Sequence, residues 1–141
     1  MTRILIVDDD LGIRELLDEI LCNEGYEILL AANGAQAVEL ARVEQPDLIL
    51  MDLMIPMLNG VEAMAILKRD PRTRDIRIIA MSAGQNLRHQ VHELLADSLL
   101  AKPFDLDRLL SDVASHLSDK ATRQVRLDAL RDCAVSHQGP Y

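Results

Sequence analysis

The sequence predicts a doubly wound α/β domain, a parallel sheet with helices on both faces. Three observations carry this expectation. Five apolar runs of strand length recur with helical segments between them, and parallel neighbours need a crossover, normally a right-handed helix. Two of the runs, "ILIV" and "LILM", are apolar throughout, as strands covered on both faces require. Four runs lead directly into acids, a hydroxyl or a lysine, and in such sheets ligands gather beyond the carboxyl ends of the strands.

The first run, "ILIV" (4–7), ends in Asp8, Asp9 and Asp10. Ile13, Leu16, Leu17, Ile20 and Leu21 then repeat at the spacing of one buried helical face, and Asp10 is placed to N-cap that helix. The second strand is "YEILLA" (26–31), followed by Asn33-Gly34 as a turn or helix boundary. "LILM" (48–51) is the third and runs into Asp52; Asn59-Gly60 and Asp70-Pro71 punctuate the chain between it and the fourth. That fourth strand, "IRIIAM" (76–81), leads into Ser82. Leu87, Val91, Leu94 and Leu95 mark a helix before the fifth strand, "SLLA" (98–101), which leads into Lys102-Pro103. Asp105 then opens the last strong helix, with Leu106, Leu109, Leu110, Val113 and Leu117 on its apolar face.

A length of 141 residues fits one domain with a short appendage. Hydrophobic residues at 49% and charged residues at 27% describe a chain with a packed core, which excludes the disordered and membrane-embedded classes. The opening "MTRILIVDDD" breaks its apolar run with acids too soon for a signal peptide or a spanning helix, so a cytoplasmic location is expected. A formal net charge of -8, offset by no Lys/Arg cluster, argues against nucleic-acid binding and favours a bound cation or a basic partner. Cys22 and Cys133 lie far apart with no metal-ligand spacing and read as free thiols.

If the strands are parallel, Asp8, Asp9, Asp52, Ser82 and Lys102 emerge on one rim. Clustered carboxylates repel one another unless a cation lies among them, and oxygen ligands suit Mg²⁺ or Mn²⁺. A lysine and a hydroxyl facing that ion complete a cradle for a phosphoryl group, whose transfer depends mainly on positioning and charge neutralisation. Asp52, alone at its strand end, is the natural nucleophile. His89 and His92 sit at i and i+3 without a third ligand nearby and read as surface histidines. Met51, Met54, Met57 and Met64 read as core and loop filler.

Taken together, "ILIVDDD", "ILMDLMIPMLNG", "IIAMSA" and "LLAKPF" resemble, in this order and spacing, the motifs of the response regulator receiver domain. The resemblance implies a flavodoxin-like, five-stranded sheet in the order 2-1-3-4-5. It implies Mg²⁺-dependent phosphoryl transfer to Asp52 from a histidine kinase or histidine phosphotransfer protein. Asp9 would hold the metal directly and Asp8 through water, with Asp52 and the backbone carbonyl of Met54 completing the set. Ser82 and Lys102 would contact phosphoryl oxygens, and the peptide before Pro103 would be cis. Pro56 and Gly60 match the family's loop after the phosphorylated strand. Two positions depart from the pattern: Leu99 occupies the usual site of an aromatic switch residue, and Leu95-Ala96-Asp97 replaces a glycine before the fifth strand.

The resemblance covers residues 3 to about 118, which assigns 1–118 to a receiver domain and leaves 119–141 as a C-terminal extension. There Leu127, Leu130 and Ala134 fall at i, i+3 and i+7, the pattern of a helix that serves dimerisation or partner docking, or of a frayed tail. With no effector domain expected, output is through protein binding, at the face of the fourth helix, fifth strand and fifth helix, and not through turnover of a substrate. One rival is a haloacid-dehalogenase-type enzyme with Asp8 as nucleophile; the following "LG", the missing later acidic motif and an idle Asp52 oppose it. The other is a receiver-shaped module that works without phosphate, favoured by Leu99 and the missing glycine and opposed by the complete set of site residues.

Overall fold

A computed structural model describes residues 2–55, 58–82, 96–103 and 105–117. The chain runs β1 (Arg3–Val7), α1 (Leu11–Asn23), β2 (Glu27–Ala31), α2 (Gly34–Glu44), β3 (Leu48–Asp52), α3 (Gly60–Arg69), β4 (Arg77–Ser82) and β5 (Ser98–Ala101), then a helix over 106–117. The sheet is parallel at every pairing, in the order β2-β1-β3-β4-β5. Its order reverses beside β1, which places a crevice at the carboxyl ends of β1 and β3. The expected helix around Leu87 to Leu95, together with Pro56, Met57, His89, His92, Cys133 and the extension 119–141, lies outside the described residues.

Because strand side chains alternate between faces, each central strand feeds two cores. Leu5, Val7, Ile49, Met51, Ile78 and Ala80 pack with Ala37, Ala41, Met64 and Leu67 of α2 and α3. Ile4, Ile6, Leu48, Leu50, Ile79 and Met81 pack instead with Leu17 and Leu21 of α1 and with Leu109 and Val113. A fully buried aliphatic side chain of this kind stabilises by about 1.5–3 kcal/mol. The apolar stripe of α1 is narrower than its spacing predicts: Leu16 is 51% exposed, because Leu17 and Leu21 carry the contact.

Side-chain caps start the helices. Asp10 accepts from the Gly12 and Ile13 N–H groups, Asn33 from Gln36 and Asn59 from Glu62, satisfying donors that a helix start leaves open. Asp105 accepts from the Asp107 N–H at 2.9 Å in the same way. Two glycines then close the loop after β3 against these starts. A Cβ on Gly34 would collide with the Leu58 carbonyl, and one on Gly60 with the Asp52 carbonyl. The chain leaving Asp52 is therefore wedged between two helix ends.

Candidate functional site

Asp52 and Ser82 are the last residues of β3 and β4, not the first residues beyond them as the apolar runs suggest. The ladder extends that far because the backbone pairs onward: Leu53 N–H donates to the Met81 carbonyl at 3.0 Å, and Lys102 N–H to the Ser82 carbonyl at 2.7 Å. Ending the strands on these residues holds their side chains at the rim. Asp8 follows β1 directly and keeps the ladder through its N–H to the Ala31 carbonyl, at 3.1 Å.

Asp8 and Asp52 are buried and Asp9 is exposed, and one carboxylate oxygen from each lies within 4.8 Å of the others. Lys102 reaches into the same space. Its Nζ donates to Asp8 Oδ2 at 2.7 Å and to Asp52 Oδ2 at 3.3 Å. Asp52 Oδ1 accepts the Met54 N–H at 3.0 Å, and Asp8 Oδ1 accepts the Asp10 N–H at 2.9 Å. Burial and then the charge of Asp8 push the Asp52 carboxyl above its usual range, against the Met54 N–H and Lys102. For Lys102, burial pulls downward, yet the hydrogen bond to Asp8 and the charges of Asp52 and Asp8 outweigh it and hold the ammonium above its usual value.

Three carboxylates against one ammonium leave net negative charge in a space lined by oxygen. That donor set fits a hard divalent cation such as Mg²⁺ and not a soft metal, which would call for sulfur or imidazole. Asp10 is absent from the cluster, because its carboxylate is spent on capping α1.

Ser82 is buried at the end of β4, and the Lys102-Pro103 peptide is cis. The Met54 side chain is 75% exposed, so it fills no core. Leu99 is half-buried and packs on the α2/α3 side of the sheet with Ala96. In the stretch Leu95-Ala96-Asp97, which departs from the family's glycine before the fifth strand, Asp97 has a structural job: its N–H donates to the Ile78 carbonyl and its Oδ2 accepts the Ile78 N–H, both at 2.8 Å. Sequence reasoning missed Arg14, whose Nη1 donates to the Asp8 carbonyl at 2.9 Å. The available signal was its place four residues after Asp10, in the first turns of α1. No described helix is long and apolar enough to cross a membrane.

Comparison with known proteins gives a consistent picture. A family model, the response regulator receiver domain, matches residues 4–114. The chain is 43% identical over 122 residues to sporulation initiation phosphotransferase F of Bacillus subtilis, covering 84% of this chain and 96% of that one. It is 35% identical to a DNA-binding dual master transcriptional regulator of Synechocystis, across 99% of this chain but 58% of the relative. Among solved structures, a sensor histidine kinase receiver domain from Pseudomonas aeruginosa, with a magnesium ion coordinated in its active site cleft, aligns with a TM-score of 0.78. That similarity carries 30% identity over 83% of this chain and 98% of that one.

Proposed function

The chain belongs to the response regulator receiver domain family of two-component signalling, and from that premise we propose that it accepts a phosphoryl group on Asp52 in a phosphorelay. The observation that carries the reading is the place of Asp52: a buried carboxylate at a strand end that shares the Lys102 ammonium with the Asp8 carboxylate. The donor is the phosphohistidine of a histidine kinase or histidine phosphotransfer protein. An Asp52 oxygen attacks phosphorus, the P–O bond forms, and the P–N bond breaks with its electron pair leaving on the imidazole.

Asp9 directly, Asp8 through water, Asp52 and the Met54 carbonyl are the proposed holders of Mg²⁺, with Mn²⁺ as the alternative. When bound, the ion neutralises charge on the phosphoryl oxygens. Lys102 gives up its grip on Asp52 to pair with a phosphoryl oxygen, and the Ser82 hydroxyl donates to another. The chain turns over no external substrate in this reading. Its output is a change in binding to a partner protein, through the surface of β5, the helix over 106–117 and the segment before β5, with Leu99 as the atypical switch position. The division at residue 118, with 119–141 as a docking or dimerising extension, and a cytoplasmic setting belong to the same proposal.

Intact-mass measurement after incubation with acetyl phosphate and Mg²⁺ tests it. One phosphoryl adduct is expected on the wild type and none on Asp52→Asn. Labelling that persists in Asp52→Asn and vanishes in Asp8→Asn would move the nucleophile to Asp8 and overturn the assignment.

A further inference from the structure

We propose that Arg14 is a positioning residue for the acid cluster: its guanidinium fixes the peptide joining Asp8 to Asp9 and so aims the exposed carboxylate of the site. This inference rests on the reading of Asp8, Asp9 and Asp52 as a divalent-cation site.

The three acids are held very unequally. Asp8 is buried, with Oδ1 on the Asp10 N–H at 2.9 Å and Oδ2 on Lys102 at 2.7 Å. Asp52 is buried, with Oδ1 on the Met54 N–H at 3.0 Å. Asp9 is exposed, and among the described residues no hydrogen bond or ion pair reaches its carboxylate. Apart from its own rotamers, its direction is set by its backbone.

That backbone is clamped from both sides. Arg14 Nη1 donates to the Asp8 carbonyl at 2.9 Å. The six atoms of a peptide unit are coplanar, so holding the Asp8 oxygen also holds the Asp9 nitrogen and Cα. On the other side, the Asp10 N–H is held by Asp8 Oδ1 at 2.9 Å and the Asp10 carbonyl by the Arg14 N–H at 3.0 Å. Arg14 thus steadies the chain on both sides of Asp9, through its side chain before it and through its own N–H after it. Without the guanidinium, the Asp8 carbonyl loses its side-chain anchor and the Asp8–Asp9 peptide is held less firmly, so an incoming ion must order the backbone as well as the Asp9 side chain.

Charge and positioning predict opposite signs. A cation beside the cluster repels a divalent ion, so if Arg14 acted through charge alone its removal would tighten Mg²⁺ binding. If it acts by positioning, removal weakens binding, as loss of a partner behind a metal ligand commonly does by roughly ten-fold or more. Calorimetric titration of the full chain with Mg²⁺ separates the two. Arg14→Met should bind roughly ten-fold more weakly, and Arg14→Lys, which keeps a donor of similar reach, should recover most of the loss. Arg14→Gln is a shorter, neutral second variant expected to match Arg14→Met. In an Asp9→Asn background, Arg14→Met should weaken Mg²⁺ no further, since the effect runs through Asp9. Urea midpoints without Mg²⁺ should stay near wild type. Unchanged or tighter binding by Arg14→Met, or a loss that simply adds to that of Asp9→Asn, overturns the inference while leaving the metal site standing. A wild type that binds no Mg²⁺ overturns both.

Discussion

At the amino-terminal rim of the sheet, Asp47 accepts the Arg3 N–H at 2.9 Å and Asp97 accepts the Ile78 N–H at 2.8 Å; at the carboxyl-terminal rim, Asp8 and Asp52 share the ammonium of Lys102. The first rim is stitched. Arg3 reaches Glu27 at 3.2 Å and Glu44 at 3.0 Å, and Asp97 also faces Arg77 at 3.5 Å and Lys68 at 3.9 Å. Asp70 lies near Arg72 and Arg42, and hydrogen bonds from them hold its carboxyl well below the usual range. There each acid meets a backbone donor or a cation and fastens one element to the next. At the other rim, acids outnumber cations and two of the carboxylates are buried. Where buried charge is left in surplus, the fold bears a cost that a bound cation or a proton relieves, which separates a site from a seam.

The largest expected effect tests that surplus. Lys102→Met removes the ammonium bridging two buried carboxylates and should cost about 3 kcal/mol in urea unfolding at neutral pH. The loss should shrink in acid as the Asp52 carboxyl protonates. Asp97→Ala, on the stitched rim, leaves the Ile78 N–H without its carboxylate and should cost about 1–2 kcal/mol. A loss as large as that of Lys102→Met would erase the contrast between the rims.

The third effect is smaller and opposite in sign. Burial and Asp8 raise the Asp52 pKa above 3.8, so over that window the folded chain holds a proton that the unfolded chain has released. Stability therefore falls as pH rises from 3.8 through the raised value. Asp52→Asn removes this slope and, without Mg²⁺, should be more stable than wild type at neutral pH, by less than the Asp97→Ala loss. Urea midpoints of the two proteins, followed from acid to neutral pH, check it; a less stable Asp52→Asn at neutral pH would mean that the carboxylate is not in surplus.

Much of this arrangement was legible in the sequence, for physical reasons. Apolar runs the length of a strand, four of them leading into a polar residue, reveal a two-sided parallel sheet and its rim together, and place Asp8, Asp52, Ser82 and Lys102 on that rim. What stayed hidden depends on pairing across the fold. Periodicity marks the apolar residues of a helix without showing how wide its contact is, so Leu16 looked buried. No local pattern reveals that Asp97 turns back onto Ile78, or that the Arg14 side chain ends on a carbonyl and not on an acid. Asp10 was readable because capping is local. Arg14 was not, because a long side chain folding back onto the Asp8 carbonyl follows no capping pattern.

The alternation of side chains along the strands has one further consequence. Asp8 and Asp52 continue the series Ile4, Ile6 and Leu48, Leu50, which faces α1 and the helix over 106–117. Ser82 continues Ile78 and Ala80, which face the layer that contains Leu99, and Ala80 is the register partner of Leu99. The sheet is thus a partition between two compartments, with the acids in register with one and the hydroxyl in register with the other. Under the proposed function, a message written on Asp52 would have to pass through that wall to be read at Leu99, and Ser82, at the end of β4, would be its door.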